Sequence, residues 1–294
     1  MQIDPKNTDI IKIQSIMAGA IAPRPIALAS TINEKGIPNL SPFSFFNSFG
    51  VNPPILVFSP SRRGRDNTTK HTYDNIKNNK EVVINVVSYN MVHQVNLASS
   101  EFADDVNEFT KSGLNSLKST IVKPFRVKES PVSFECKVLQ VIETGTQGGA
   151  GNLVVCEIVM IHVDKKVLDD NGSIDPNKID LVGRMGKNLY VRASGSSLFE
   201  IDKPKSELGI GVDSLALSIR NSKVLSGNEI GQLGMLASFP SKKEIDEANE
   251  FQEVEEILKI SDQDEKIHKL HRIANFLIKR NKVAEAFKIL LTLN

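Results

Sequence analysis

Apolar positions along this 294-residue chain follow two different rhythms. Up to about residue 192 they come in short, often β-branched runs separated by Gly, Pro, Asn and Asp, the pattern of strands joined by turns. Pro23 to Ile32 (PRPIALASTI) reads as one strand, and Asn33-Glu34-Lys35-Gly36 has the polar, glycine-ended chemistry of a hairpin turn into Ile37 to Ser41. Asn52-Pro53-Pro54 denies helix, so Ile55 to Phe58 reads as a buried strand. Val82 to Val87 (VVINVV) has the composition of a central strand, within which the polar Asn85 needs a hydrogen-bond partner such as neighbouring backbone. Val132 to Ile142 and Leu153 to Val163 predict a long hairpin across Glu143 to Asn152. Asp169 to Gly172 is a turn, Lys178 to Val182 a short apolar piece, and Asn188 to Arg192 a further strand. Short helices are expected from Tyr73 to about Asn79, capped by His71-Thr72, and from Met91 to Ser99. Six or more strands with few helices argue for a β-barrel core.

From Ser241 the rhythm changes. Glycine and proline vanish, and Glu244 to Ile260 and Glu265 to Leu293 show helical spacing, with Ile267, Leu270, Ala274, Leu277 and Ile278 on one stripe. An appended helical hairpin is the reading, with no internal repeat elsewhere.

Composition narrows the functions. With 40% apolar and 24% charged residues the chain is an ordinary globular protein. A net charge of +1 gives no basic field for nucleic acid or a membrane surface. Cys136 and Cys156 fit no metal or redox spacing and read as buried small apolar residues in a reducing compartment. The start MQIDPKNTDI lacks the basic and apolar regions of a secretory signal, and no run approaches the roughly 18 apolar residues of a spanning helix, so a cytoplasmic location is expected. His162 has no neighbouring His or Cys and reads as a hydrogen-bonded structural histidine. The glycines between Gly145 and Gly151 precede another strand, whereas a nucleotide fingerprint must open a helix.

Candidate chemistry concentrates between Asn39 and Thr72. Phe43, Phe45, Phe46 and Phe49 offer flat apolar surface beside Ser44, Asn47 and Ser48, and Ser59, Ser61, Arg62, Arg63, Arg65, Thr68, Thr69, Lys70, His71 and Thr72 follow. That order suits a ligand with a flat ring at one end and phosphate at the other. An aromatic system gains from apolar contact, an amide serves donor and acceptor edges of a heterocycle, and phosphate wants Arg, Lys, hydroxyls and free N–H groups. Flavin mononucleotide (FMN) meets all three demands. A surface loop with core phenylalanines has the same composition.

Ordered blocks separate the two. PRPIALAST, NLSPFSFFNSFGVNPP, Phe58-Ser59, KHTYDNI, VVINVV, ESPVSFECKV and GRMGKNLYVR, from about Ala22 to Arg192, together resemble the flavin reductase-like proteins of the FMN-binding split-barrel superfamily, including the flavoredoxins. Residues Gly209 to Pro240 resemble the tail of its longer members. The resemblance implies a six-stranded antiparallel Greek-key split barrel, usually a homodimer with FMN near the subunit interface, to which the residue pattern adds short helices and a C-terminal helical extension. Together they divide the chain into a barrel domain at 1–205, a connector at 206–240 and helices at 241–294. Carried onto this sequence, Ser44, Phe45, Phe46 and Asn47 would hold the ring, and Ser59, Lys70, His71 and Thr72 the ribityl-phosphate end. Two departures stand out: His71 where many members carry Asp, and Asn152 where relatives often show His.

The implied activity is hydride transfer from NADH or NADPH to flavin. It asks the protein for position, exclusion of water and electronic tuning rather than a nucleophile, so no catalytic side chain is assigned. The alternative is an FMN-bound electron carrier reduced by a protein partner. The acceptor, a monooxygenase partner, iron or another redox protein, is not encoded in these motifs.

Overall fold

Tight polar turns between short apolar runs force neighbouring strands to pair locally, and most of this chain's sheet is built that way. The computed structural model describes residues 1–201, 203 and 207–293, in two units, Met1–Phe199 and Glu200–Asn294. In the first unit β1 (Ala27–Ile32) and β2 (Pro38–Phe43) form the expected hairpin. Asn33 Oδ1 accepts the backbone N–H groups of Lys35 and Ile37, and Gly36 takes a φ of +80°, which costs glycine nothing. β3 (Phe46–Val51) pairs with β4 (Pro54–Phe58). β5 (Glu81–Val86) follows, then the two-residue strands β6 (Ser116–Leu117) and β7 (Arg126–Val127), which pair with each other. The predicted long hairpin is β8 (Val132–Glu143) and β9 (Asn152–Val163); β10 (Leu181–Arg184) and β11 (Tyr190–Ala193) form a separate pair.

The main sheet runs β2-β1-β5-β8-β9-β4-β3. It therefore has seven strands where six were expected, and it is not closed. The additional strand is β3, whose residues the sequence reading took as a ring-holding stretch. Closure fails at the link between β2 and β3. Phe45 gives its carbonyl to the Ser59 N–H at 2.9 Å, which extends the β3–β4 pairing and turns the chain away from β2. Only Ser44 and Phe45 separate the two edge strands, and three Cα steps span at most about 11 Å. The edges thus converge at that link without pairing, leaving an open seam.

Inside the curved sheet Ala27, Ala29, Phe43, Leu56, Phe58, Val82, Ile84, Val138 and Val154 form one core with Cys136 and Cys156. Both thiols are free and buried, and the adjacent Cys156 together with burial pushes the Cys136 thiol up, so they act as small apolar groups. Leu28 and Leu40 face the other way into a second cluster with Met91, Val95 and Phe109, which is why β1 is buried on both faces. Asn85 is buried and paired: Nδ2 donates to the Leu28 carbonyl at 3.0 Å, and Oδ1 accepts from Val127 N–H at 2.9 Å and Ser133 Oγ at 2.8 Å. His162 Nε2 lies 2.6 Å from Oε1 of the fully buried Glu135.

Five helices decorate this unit: α1 (Ile10–Ala20), α2 (His71–Asn79), α3 (Val92–Leu97), α4 (Glu108–Ser112) and α5 (Pro176–Ile179). α1 has no buried residue and left no core-facing stripe in the sequence; Asp9 caps it by accepting from Ile11 and Lys12 N–H. α2 begins at His71, not Tyr73. Lys70 is the N-cap, and the Thr72 hydroxyl, turned inward, accepts from Asn39 Nδ2 at 2.9 Å instead of capping.

The second unit holds α6 (Leu217–Arg220) and α7 (Gly227–Gly234) in the connector, and α8 (Lys242–Asn249), α9 (Gln252–Leu258), α10 (Gln263–Ile278) and α11 (Val283–Leu290) where a single hairpin was expected. Capping boxes at Ser226/Glu229 and Ser241/Glu244 fix the starts of α7 and α8. The stripe residues Ala274 and Ile278 pack with Phe287 and Leu290, and also with Leu215, Ile219, Leu225 and Leu233. Residues on either side of Ser241 therefore share one core, and the expected boundary at 205/206 lies outside the described residues. Among those residues no helix is long and apolar enough to cross a membrane.

Candidate functional site

At the seam of the first unit the edge strand β2, the Ser44-Phe45 link and the basic loop after β4 enclose a cleft of about 380 Å³, within the ~300–1,000 Å³ usual for small-molecule sites. Ser41, Pro42, Phe43, Ser44 and Phe45 line one side, the segment from Ser59 to Lys70 another, and Ser99 and Glu101 close the rim.

The basic loop is braced from below. Ser59 Oγ accepts the Asn152 N–H at 3.1 Å, and Asn152 Nδ2 donates to the Pro60 carbonyl at 3.0 Å. Arg62 N–H donates to the Ala150 carbonyl at 2.9 Å and Gly149 N–H to the Arg62 carbonyl at 3.1 Å. A Cβ on Gly148 would sit 3.0 Å from the Arg63 carbonyl, so the glycine-rich turn approaches this loop as only a residue without a side chain does. That turn is thus a buttress for the basic loop. Asn152, noted in the sequence as a departure, is part of the same brace.

Four cations project from the loop, and their partners are specific. Arg62 is held by Asn67, Nε to Oδ1 at 2.7 Å. Arg63 donates from Nη1 to Thr68 Oγ1 at 3.0 Å and to the Thr69 carbonyl. Glu101 then gathers three of them: Arg63 Nε at 2.9 Å and Lys70 Nζ at 3.4 Å on Oε1, and Arg65 Nη2 at 2.9 Å on Oε2. Hydrogen bonds from Arg63 and then Arg65 hold the Glu101 carboxyl below its ordinary range. Arg65 also meets Asp66 at 3.0 Å.

Of the residues singled out in the sequence, Ser44, Phe45, Ser59 and Lys70 meet in this cleft. His71 and Thr72 line a narrow adjoining pocket with Asn39, Ser41, Arg63 and Glu108. Burial raises the Glu108 carboxyl above its ordinary range. Phe46 packs against the barrel core, and Asn47 is exposed on the edge strand β3, its Oδ1 accepting the Ser48 N–H at 2.8 Å. Neither lines the cleft. Glu101 went unnoticed in the sequence because it lies 31 residues beyond Lys70; an isolated acid opposite a cation-rich loop was its only signal.

In chemical terms, the site presents aromatic and hydroxyl groups at the seam and a hydroxyl-and-cation end at the loop. The unit is an open antiparallel split barrel with a cleft at its seam. Solved structures share the fold: nitrilotriacetate monooxygenase component B from Bacillus cereus aligns with a TM-score of 0.64 at 23% identity, covering 68% of this chain and 98% of that one. A protein with a split barrel domain from Shewanella frigidimarina NCIMB 400 aligns at 0.58 and 24%, covering 69% and 99%. An uncharacterized protein of Aquifex aeolicus (strain VF5) is 37% identical over 201 residues, 68% of this chain and all of that protein. Residues 18–178 match the model of the flavin reductase like domain, and the chain belongs to that family. Membership makes it a flavin-related oxidoreductase.

Proposed function

We propose that the protein binds FMN in the seam cleft and reduces it with NADH or NADPH, as an NAD(P)H:flavin oxidoreductase. The observation that carries this reading is that one cleft is lined both by Phe43, Ser44 and Phe45 and by Ser59, Ser61, Arg62, Arg63 and Lys70. This donor set fits the cofactor, with apolar ring faces for a flat heterocycle and charge-assisted donors for a phosphate. When bound, FMN supplies the ring that accepts a hydride from the nicotinamide.

The chain's own groups do the rest. Ser44 and Phe45 would orient the ring at the seam; Phe46, packed on the core, would set the backbone, and Asn47, outside the cleft lining, would meet the ring's polar edge only where a bound ring extends past the seam to β3. Ser59 and Lys70 would hold the ribityl-phosphate end, with His71 and Thr72 shaping the pocket beneath it. The open side of the cleft would admit the nicotinamide. A homodimer belongs to the same reading, and the outward residues Leu139, Val159 and Ile161, at 56%, 36% and 52% exposure, support it. A cytoplasmic location is likewise part of the proposal.

The deciding experiment is steady-state oxidation of NADH and of NADPH with added FMN, beside the visible spectrum of the purified protein. Flavin-dependent oxidation is the expected result. A yellow protein that oxidises neither nicotinamide would instead be the protein-fed electron carrier, and failure to bind any flavin would overturn the site.

A further inference from the structure

Glu101 occupies an unusual place in the cleft. Among the described residues it is the one carboxylate shared by Arg63, Arg65 and Lys70, with each oxygen taken by a different arginine. Arg63 is largely enclosed, its side chain 14% exposed, while Glu101 itself is 41% exposed. It comes from the segment after α3, remote in sequence from the loop it neutralises, and that segment also lines the cleft through Ser99. Three cations converging on two oxygens is the arrangement that a phosphate monoester asks for. A carboxylate carries one negative charge, whereas the phosphate of a bound ester carries nearly two at neutral pH.

We propose that Glu101 is a resident anion that holds the three cations in place and that a phosphate-bearing ligand displaces, so that it sets the cleft's affinity for phosphate. The proposal rests on the cleft being the flavin site, and it makes Glu101 a specificity-determining residue between FMN and riboflavin. The charges account for this. Arg62, Arg63, Arg65 and Lys70 oppose Glu101 and Asp66 among the groups named above, and a dianion that takes over the cations must first break the contacts to Glu101. Those contacts are partly exposed and individually weak, which makes exchange reversible. A ligand without phosphate has no use for the cations and leaves Glu101 where it is.

The test is Glu101→Gln, which keeps size and polarity but removes the charge, measured in low salt with inorganic phosphate, FMN and riboflavin as separate probes. Removing the competing anion should tighten both phosphate and FMN about 3- to 10-fold, from partly exposed ion pairs of modest strength, and leave riboflavin unchanged. Added salt should shrink the gain. Unchanged or weaker phosphate binding by the variant would overturn the proposal, since it would make Glu101 a scaffold for the cations rather than their competitor. Glu101→Ala, measured in parallel, must show the same sign. A wild-type protein that binds phosphate but no flavin would defeat the flavin reading while the phosphate measurement still decides the role of Glu101.

Discussion

The buried carboxylate of Glu135 offers the sharpest test of what holds the barrel unit together. Its oxygens accept backbone N–H groups from Thr120 at 2.7 Å, Ile121 at 2.6 Å and Val122 at 3.0 Å, besides the contact to His162. One side chain on β8 thereby fixes the 120–122 segment to the sheet. Burial opposes the charge, but the N–H groups of Thr120 and Ile121, with His162 and Val122, outweigh it and bring the carboxyl down to about 2. Glu135→Gln replaces one acceptor oxygen by an NH2 group that faces backbone donors. From the depth of the shift, at about 1.4 kcal/mol per pH unit, the charge is worth roughly 3 kcal/mol at neutral pH. The sign follows from the depressed folded value: this stability is present above the unfolded carboxyl's range near pH 4.5 and is lost as pH falls toward about 2. The chain has no Trp and three Tyr, at positions 73, 89 and 190 in the barrel unit, so tyrosine fluorescence during urea unfolding follows that unit alone. The wild-type minus variant difference should be roughly 3 kcal/mol at pH 7 and close toward zero by about pH 2. A difference that stays constant from pH 5 to pH 2 would refute the reasoning.

Three further outcomes are expected. Lys70→Ala should weaken FMN more than riboflavin, because charge-assisted contacts are about twice as strong as neutral ones; isothermal titration with both ligands checks it, and equal losses would move the phosphate elsewhere. Asn47→Leu should weaken FMN about 5- to 150-fold if the bound ring covers that now exposed amide and takes its hydrogen bonds, with a shift in the bound flavin's spectrum, whereas unaltered affinity would leave Asn47 a surface residue of β3. A chain ending at Phe199 should fold and bind flavin as the full chain does, whereas one ending at Pro240 should aggregate, since it exposes Leu215, Ile219, Leu225 and Leu233, which pack against α10 and α11; light scattering and flavin titration of both decide it.

What was legible in the sequence follows from where burial is one-sided. The β1–β2 and β8–β9 hairpins were readable because alternation and turn chemistry agree there. Asn85 was readable as a paired polar group because a buried amide has few other options. β3 was not, because five of its six residues are exposed and carry no alternating signal, and its phenylalanines were read as ligand surface or as core residues of a loop. α1 escaped for the same reason, having no buried face. The tail's helices were legible, but not that α10 and α11 bury their stripe against segments before Ser241, because partners of an amphipathic face are not encoded in its own spacing. In the cleft, composition gave the cations and hydroxyls; the brace from Asn152 and Gly148 and the counter-charge from Glu101 are contacts across 90, 85 and 31 or more residues, beyond any local pattern.

The seam explains why so much chemistry lies in so short a stretch. β2 and β3 are consecutive in sequence yet stand at opposite edges of one seven-stranded sheet, so the two residues between them, Ser44 and Phe45, must cross the gap that a closed barrel would fill with hydrogen bonds. Edge strands left unpaired are an association hazard; here the Phe45 carbonyl's bond to Ser59 extends the β3–β4 pairing, and the cleft opens along the edge strand β2. Ser59 is also the residue that Asn152 braces and the first of the basic loop. The same backbone bond therefore ties the Ser44-Phe45 link to the start of the basic loop, so the two stretches that line the cleft are joined through the β3–β4 pairing rather than through flexible loops. A cleft anchored in strand pairing is held by backbone hydrogen bonds rather than by side-chain contacts alone, which gives its lining residues a fixed frame.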